Sequence, residues 1–246
     1  MHRYQILIEY IGTNFIGWQI QSKGKSIQKL AQTKLAKLLN EKINLVGSGR
    51  TDSGVHAIEQ SAHFDCKKEI QNLDKFLKSI NYFLNDKEFS KINIKKRNLN
   101  FHARFSAKQR IYKYIIFNRL SRPSIDKERG WHIIKKLNIH LMKKGAKKLL
   151  GTKDFSTFRA SSCNAKSSIR TMELIKIKSF KGRIEIQFKS QSFLQQQVRS
   201  MVGCLKYLAE EKWDLKKFEL IFKSKKRTLC APPAPAQGLF LEKVIY

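Results

Sequence analysis

The sequence predicts an α+β protein made of two ferredoxin-like halves. Segments with the two-residue period of strands and segments with the longer period of helices follow one another in the order β-α-β-β-α-β, the split βαβ unit. The same order then occurs a second time, without any repeat of the sequence itself. Two such sheets could join edge to edge into one extended, mainly antiparallel sheet with a central cleft. We therefore expect a first domain at residues 1–104 and a second at residues 105–246.

The first half contains four predicted strands and two predicted helices. The strands are expected at residues 4–10, 43–46, 58–64 and 89–94. Ser26 and Asn72 are residue types that cap helix N-termini, and an apolar stripe follows each of them. The connection 12–24, which carries Gln19, is a predicted loop.

The second half repeats this order with one additional helix. Its strands are expected at residues 111–117, 172–178, 182–189 and 239–246, and its helices at residues 137–150, at 193–208 and after the cap Asp214. The connections 118–136 and 152–169 contain no predicted element. They are polar and rich in arginine and lysine, which suits contact with RNA and ordinary solvated loops equally well.

The charge of the chain indicates a polyanionic partner. The 246 residues include 50 lysines and arginines against 19 aspartates and glutamates, a formal net charge of +31. Such an excess repels itself unless a polyanion neutralises it, and RNA is the partner that we expect. A genome biased toward lysine codons would raise the same count, so the sign of the charge is more informative than its size.

The cysteines and histidines do not predict a metal site or a disulfide framework. The four cysteines are far apart in the sequence and form no C-x-x-C pair: Cys66, Cys163, Cys204 and Cys230. His56, His63 and Cys66 lie close together, but their spacing does not match a metal site. We therefore expect reduced thiols in a cytoplasmic protein. The chain enters a strand at once and has no apolar run near the ~18 residues of a membrane span, so no signal peptide or span is predicted.

The stretch 47–57 is the strongest candidate for a functional site. Gly47, Gly49 and Gly54 allow sharp turns or close approach of another chain, and they surround Arg50 and Asp52. A guanidinium beside a carboxylate can keep the acid ionised and can itself bind an anion. An ordinary hairpin turn with a solvated ion pair would have the same composition. A phosphate-binding P-loop is excluded, because no Gly-Lys-Ser/Thr follows at the required spacing.

Several motifs along the chain resemble one known family, the TruA-type tRNA pseudouridine synthases. The central motif is Gly49-Arg50-Thr51-Asp52-Ser53-Gly54-Val55-His56-Ala57. The other motifs occur in the family's order: Gly17-Trp18-Gln19, Phe101-His102-Ala103-Arg104-Phe105-Ser106-Ala107, Tyr112-Lys113-Tyr114, Asp154-Phe155-Ser156-Thr157-Phe158, Gln197-Val198-Arg199-Ser200-Met201-Val202-Gly203 and Gly238-Leu239-Phe240-Leu241. Ile11 and Ser53 depart from the residues that are usual there, and neither departure removes a reacting group.

The resemblance implies an enzyme that converts uridine to pseudouridine at positions 38, 39 and 40 of the tRNA anticodon stem-loop. The reaction imports no group and involves no redox step, so no cofactor or metal is expected. The resemblance further implies the two-sheet arrangement with the site in its cleft, tRNA as partner and a homodimer.

The resemblance also assigns roles to individual residues. Asp52 is the expected nucleophile, attacking either C1′ of the ribose or C6 of the uracil, and the sequence leaves both sites open. Arg199 is expected beside Asp52, where it would offset the cost of an ionised acid in a partly dry cleft. Arg50 would fill the space that an extruded base leaves. Tyr112 would pack on the flipped uracil, a choice over Tyr114 that rests on the resemblance alone.

Three further side chains have less specific expected roles. Arg104 is expected to bind phosphate, and Gln19 to help shape the loop that receives the substrate. His56 could be taken for a general base, but the proposed nucleophile is already an anion. We therefore interpret His56 as a hydrogen-bond partner that orients the loop.

Two other functions fit parts of the sequence. A non-catalytic RNA-binding or RNA-chaperone protein would share the positive charge and the ferredoxin-like halves. It would have no use for a carboxylate facing polyphosphate, so Asp52 argues against it. A metal-dependent nuclease would need clustered carboxylates, and only Glu59 and Asp65 lie near Asp52 in the sequence.

Overall fold

A computed structural model describes residues 1–84 and 89–246 of the chain. Within these ranges the strands are β1 (His2–Tyr10), β2 (Val46–Gly47), β3 (His56–Cys66), β4 (Phe89–Arg97), β5 (Gln109–Asn118), β6 (Trp131–Ile133), β7 (Gly151–Asp154), β8 (Ile169–Phe180), β9 (Arg183–Ser190) and β10 (Leu239–Ile245). The helices are α1 (Ile27–Leu39), α2 (Leu73–Leu84), α3 (Ile139–Lys148), α4 (Gln197–Ala209) and α5 (Leu215–Lys223). Short 3₁₀ turns occur at Ser156–Phe158, Arg227–Leu229 and Ala236–Gly238.

The chain divides into two compact units. The first comprises residues 1–108 and 240–246, and the second comprises residues 109–239. Chain order alone would keep β10 with the second unit. Its pairing explains the difference, because Phe240 and Leu241 run parallel to His56 and Ala57 of β3.

The sheet of the first unit has the strand order of a ferredoxin-like fold. Strand β1 lies between β4 and β3 and is antiparallel to both, and β2 is antiparallel to β3. Apolar side chains of this sheet and of α1 are buried, among them Ile6, Phe64, Ala31 and Leu35. The order β4-β1-β3-β2 is the one that a split βαβ unit produces.

The sheet of the second unit is also mainly antiparallel. Strand β9 pairs with β5 on one side and with β8 on the other, and β7 continues beyond β8. Strand β6 is the exception and runs parallel to β5. Side chains of the sheet and of the helices form the core, including Ile186, Phe188, Met142, Leu205 and Phe218. Among the described residues, mainly antiparallel strands together with helices α1 to α5 confirm the predicted α+β class.

The predicted helix caps are confirmed. The Ser26 hydroxyl accepts a hydrogen bond from the Lys29 N–H at 3.4 Å. The side chains of Asn72 and Asp214 accept from N–H groups three residues later, at 2.8 Å and 2.7 Å respectively. Each cap satisfies one of the N–H groups that a helix start leaves without an intrahelical partner.

Several predicted boundaries were wrong for local reasons. Helix α4 begins at Gln197, four residues later than predicted, because Gln196 has a left-handed backbone with φ of 60°. Helix α3 begins at Ile139, since Asn138 takes the capping position. The strand predicted at residues 43–46 is reduced to the two residues of β2.

Two strands were not predicted at all. Strand β6 forms within the polar connection 118–136, and β7 forms at the start of the polar connection 152–169. Strand β6 pairs with β5, and β7 pairs with β8 from Gly151 opposite Met172 to Asp154 opposite Ile169. Both β6 and β7 form because they pair with a neighbouring strand. Their own sequences do not predict them, since the strand with which each pairs lies elsewhere in the chain.

Candidate active site

The loop between β2 and β3 carries Arg50 and Asp52, and hydrogen bonds of buried side chains hold its backbone. Ser48 Oγ donates to Gln60 Oε1 at 2.7 Å, and Gln60 Nε2 donates to the Gly49 carbonyl at 2.9 Å. Ser48 and Gln60 are both buried. Arg50 itself is exposed. Arg50 is therefore exposed to solvent, whereas the loop backbone next to it is held in place.

The residue before Asp52 and the carbonyl of Asp52 itself are held by buried partners. The Thr51 hydroxyl is hydrogen bonded to the Tyr10 hydroxyl at 2.8 Å, and the Thr51 carbonyl accepts from the Trp18 N–H at 3.1 Å. The Asp52 carbonyl accepts from the Val55 N–H at 3.1 Å and closes a turn. Asp52 is half-buried. Its side chain is thus presented by a turn that has little freedom to move.

The loop 12–24 lies directly against this turn. Gly17 has a φ of +110°, and a Cβ there would lie 2.6 Å from the Thr51 carbonyl oxygen and 3.2 Å from the Asp52 carbonyl carbon. A Cβ at Gly47 would lie 2.5 Å from the Trp18 ring. These two glycines are required because no side chain could occupy the contact. Gln19, adjacent to the buried Trp18, is exposed.

His56 acts as a structural hydrogen-bond partner. Its Nδ1 accepts from the Gly12 N–H at 2.9 Å, and its ring stacks on Phe240 at 4.7 Å between centroids. The residue is 1% exposed. An acceptor at Nδ1 in a buried stack holds loop 12–24 against β3, in agreement with the predicted orienting role.

Tyr112 and Tyr114 share one face of β5 but differ in burial. Tyr114 is fully buried, its hydroxyl donates to the Pro235 carbonyl at 2.8 Å, and burial raises its pKa against the opposing positive charge of Arg199. Tyr112 is half-buried and makes an edge-to-face contact with Phe193 at 5.1 Å between centroids. Only Tyr112 therefore retains ring surface that a ligand could contact.

Arg199 lies in the first turn of α4 and is half-buried. Its Nε donates to the Ala234 carbonyl at 2.8 Å, and its own carbonyl accepts from the Ala234 N–H at 3.0 Å. A Cβ at Gly203, one turn further along α4, would lie 2.1 Å from the Pro232 carbonyl oxygen. The segment around Ala234 therefore packs closely on α4 and orients the guanidinium.

The six predicted site residues are distributed over both units. Arg50, Asp52, Gln19 and Arg104 belong to the first unit, and Tyr112 and Arg199 to the second. Within the first unit, the Trp18–Thr51 hydrogen bond joins the loop that carries Gln19 to the loop that carries Asp52. Arg104 lies on the separate loop that follows β4 and is exposed.

Sequence reasoning missed the supporting groups. Tyr10 was assigned to a strand without further role, yet its hydroxyl holds Thr51 beside Asp52. Ala234 lies in the connection before the last predicted strand, yet its carbonyl orients Arg199. Neither residue carries a local signal for these contacts, because both partners are distant in the chain.

The described part of the chain contains neither a candidate metal site nor a candidate membrane span. Among residues 1–84 and 89–246, no group of three or more histidine, cysteine, aspartate or glutamate side chains is arranged to hold a metal ion. Over the same residues, no helix has both the length and the apolar character needed to cross a bilayer.

Comparison with known proteins identifies the family. The model of a family described as tRNA pseudouridine synthase matches residues 6–106 and 146–246. Proteins named tRNA pseudouridine synthase A align with the whole chain: that of Pelagibacter ubique is 82% identical over 100% of its length, that of Paramagnetospirillum magneticum 40% identical over 96%, and that of Maricaulis maris 38% identical over 98%. These matches confirm the resemblance seen in the motifs. The chain therefore belongs to the tRNA pseudouridine synthase family, whose members are isomerases.

Proposed function

We propose that this enzyme isomerises uridine to pseudouridine at positions 38, 39 and 40 of the tRNA anticodon stem-loop, with Asp52 as the nucleophile. The observation that carries the proposal is the presentation of Asp52. The side chain is half-buried, and the backbone on both sides of it is hydrogen bonded to buried groups. Preorganised placement of a reacting group is a major source of catalytic rate.

The reaction requires one bond to break and another to form on the same nucleoside. The bond from ribose C1′ to N1 of uracil breaks, the base turns, and C1′ joins C5. C5 then loses its proton, and N1 regains one. An ionised carboxylate can attack C1′ or C6, hold one partner while the base turns, and leave again when C1′ joins C5 or in the step that follows. The chemistry is complete without a cofactor.

Arg50 is proposed to assist extrusion of the target base. A uridine in the stem is stacked and paired, and taking it out costs a few kcal/mol. Arg50 is exposed and lies two residues from Asp52 on the same ordered loop. A guanidinium there can occupy the gap that the base leaves, while the carboxylate meets the base outside the stack.

Tyr112 and Arg199 are proposed to complete the site. The accessible ring surface of Tyr112 suits stacking on the flipped uracil. The guanidinium of Arg199 is oriented by the Ala234 carbonyl and would keep Asp52 ionised. Gln19 and Arg104 would contact the RNA around the target.

The formal charge of +31 suits a tRNA partner. The family resemblance extends the proposal to a homodimer. Because tRNA is the proposed substrate, we expect the enzyme to act in the cytoplasm.

Replacing one oxygen of the nucleophile tests the proposal. Asp52→Asn preserves shape and should bind tRNA like the unmodified enzyme but release no tritium from tRNA labelled at uridine C5. Asp74→Asn makes the same change at an exposed position in the first turn of α2 and should keep full turnover. Substantial tritium release by Asp52→Asn would overturn the role of Asp52. Absence of turnover in the unmodified enzyme, with tRNA binding intact, would favour a non-catalytic RNA-binding protein.

A further inference from the structure

The loop that follows β4 carries a highly exposed aromatic ring, that of Phe105. Phe105 is 75% exposed, although His102 is half-buried and Ala103 is buried in the same loop. One large apolar side chain at a surface is ordinary and needs no explanation. Phe105 differs because its ring is supported by other rings, whereas a loose surface side chain has no such support.

The support is a pair of histidine rings, tilted by 59° against each other. The His102 ring lies 4.4 Å from the Phe105 ring between centroids, at 32°, and 4.8 Å from the His63 ring on its other contact. His102 Nδ1 accepts from the N–H groups of Arg104 and Phe105 at 3.1 Å and 3.3 Å. His63 Nδ1 accepts from the Ala103 N–H at 3.1 Å. Each imidazole is therefore fixed by the backbone of the loop that it supports.

Both imidazoles have a pKa below the ordinary value of histidine. Burial, followed by the positive charge of Arg3, lowers the pKa of His63 to about 4. Burial, followed by the charges of Arg3 and Arg104, also lowers the pKa of His102. A neutral ring stacks without the cost of desolvating a charge. The lowered pKa values therefore favour the neutral form of the rings that support Phe105.

The rest of the loop is anchored to the sheet. Arg3 pairs with Asp65 at 2.7 Å and donates to the carbonyls of Phe101, at 2.7 Å, and Leu99. The Tyr246 hydroxyl donates to the Ala103 carbonyl at 2.8 Å. The loop is therefore preorganised, and a ligand of Phe105 would pay little to order it.

The charge around the ring selects the chemistry of its ligand. The Arg104 guanidinium lies 5.5 Å from the Phe105 ring centroid. A second guanidinium of the same segment, that of Arg97 at the end of β4, lies 4.9 Å from the Phe101 ring centroid. An apolar protein surface would have to desolvate these guanidiniums, whereas a nucleotide offers a π face to the ring and a phosphate to the arginine.

We propose that His102, Arg104 and Phe105 form an aromatic ledge on which an unpaired base of the RNA substrate stacks, outside the proposed catalytic residues. The assignment rests on the proposed function, because it takes RNA to be the substrate. It adds a specific contact: Phe105 stacks the base, His102 supports the ring, and Arg104 meets the adjacent phosphate.

Two substitutions in the full chain separate stacking from charge. Phe105→Leu keeps an apolar side chain but removes the π face, and should weaken tRNA binding by about 5- to 150-fold, with kcat/KM falling by a similar factor. The slope of log Kd against log salt should stay the same. Arg104→Gln should reduce that slope by about 1, because one phosphate contact is lost. Phe180→Leu, at another exposed phenylalanine, is the matched control and should leave both quantities unchanged.

Phe105→Trp provides a direct signal. It should retain tRNA affinity, and the added fluorescence, measured as the difference from the unmodified enzyme, should be quenched by tRNA. Phe180→Trp should show no such quenching. Unchanged Kd in Phe105→Leu, or no quenching in Phe105→Trp, would overturn the ledge. If a Phe105 variant changed only the oligomeric state, measured by sedimentation, the ledge would also be overturned, because the ring would then contact another copy of the protein.

Failure of the ledge is distinguishable from failure of the proposed function. Binding and tritium release are measured separately on the same preparations. If the unmodified enzyme forms pseudouridine while Phe105→Leu binds tRNA normally, the ledge alone is wrong. If the unmodified enzyme forms none while the Phe105 variants lose binding, the ledge stands and the catalytic proposal is wrong.

Discussion

Adding one methyl group at Gly17 should displace the Asp52 turn without touching a proposed catalytic side chain. Gly17 has a φ of +110°, and its Cα faces the backbone at Thr51 and Asp52. In Gly17→Ala the new Cβ would lie 2.6 Å from the Thr51 carbonyl oxygen. That oxygen is also the acceptor of the Trp18 N–H, so the clash acts on the contact that joins the two loops.

The size of the displacement follows from the contact distance. An ordinary contact of a Cβ begins at 3.4 Å, so the two groups must separate by about 0.8 Å. A misplacement of about 1 Å can cost on the order of 100-fold in rate, and we expect a loss of kcat of this size. The strained backbone should lower the free energy of unfolding by about 1–3 kcal/mol.

Single-turnover tritium release at saturating enzyme measures the chemical step, and urea denaturation measures stability. Gly151→Ala is the matched control, because Gly151 also has a positive φ, of +90°, but no atom within 4 Å of the added Cβ. It should lose stability from backbone strain and keep its turnover. If Gly17→Ala turned over within about twofold of the unmodified enzyme, placement of the Asp52 turn would not limit the reaction.

Three further outcomes are expected. Lys91 is 1% exposed, and within the described residues its Nζ has no hydrogen-bond partner. Lys91→Met should therefore raise the free energy of unfolding in urea by about 1–3 kcal/mol. Lys95→Met, at an exposed position of the same strand, should change that free energy little. Burial lowers the pKa of Lys91 well below its ordinary value, so the unfolded state binds one more proton and stability rises with pH up to about 10.4. This rise should persist in Lys95→Met and shrink in Lys91→Met. If the dependence of stability on pH were unchanged in Lys91→Met, Lys91 would not be its source. Tyr114→Phe removes the hydroxyl that donates to the Pro235 carbonyl and should cost about 1–3 kcal/mol of stability in urea but little turnover. Tyr112→Leu should lower turnover in the tritium assay with little loss of stability. The opposite pattern would mean that Tyr114 contacts the substrate and Tyr112 is structural. Arg50→Ala should slow tritium release from paired uridines more than from the same uridines in an unpaired oligonucleotide, and equal losses would exclude a role in extrusion.

Features that depend on neighbouring residues were predictable from the sequence. The caps at Ser26, Asn72 and Asp214 were found because a cap and the helix that it starts are adjacent in the chain. The α+β class followed from the period of the apolar residues. The glycine-rich loop with Arg50 and Asp52 stood out because three glycines surround two opposite charges.

Features that depend on distant partners were decided by the tertiary structure alone. Tyr112 and Tyr114 have the same period and residue type, and only packing against Gly238 and Pro235 buries the second. Pairing with β3 places β10 in the first unit, although it is last in the chain. The sequence by itself determined the local elements and the residues able to do chemistry, since both are properties of short segments. Burial and the groups that orient Asp52 and Arg199 required the folded chain, because each arises from contacts between residues far apart in sequence.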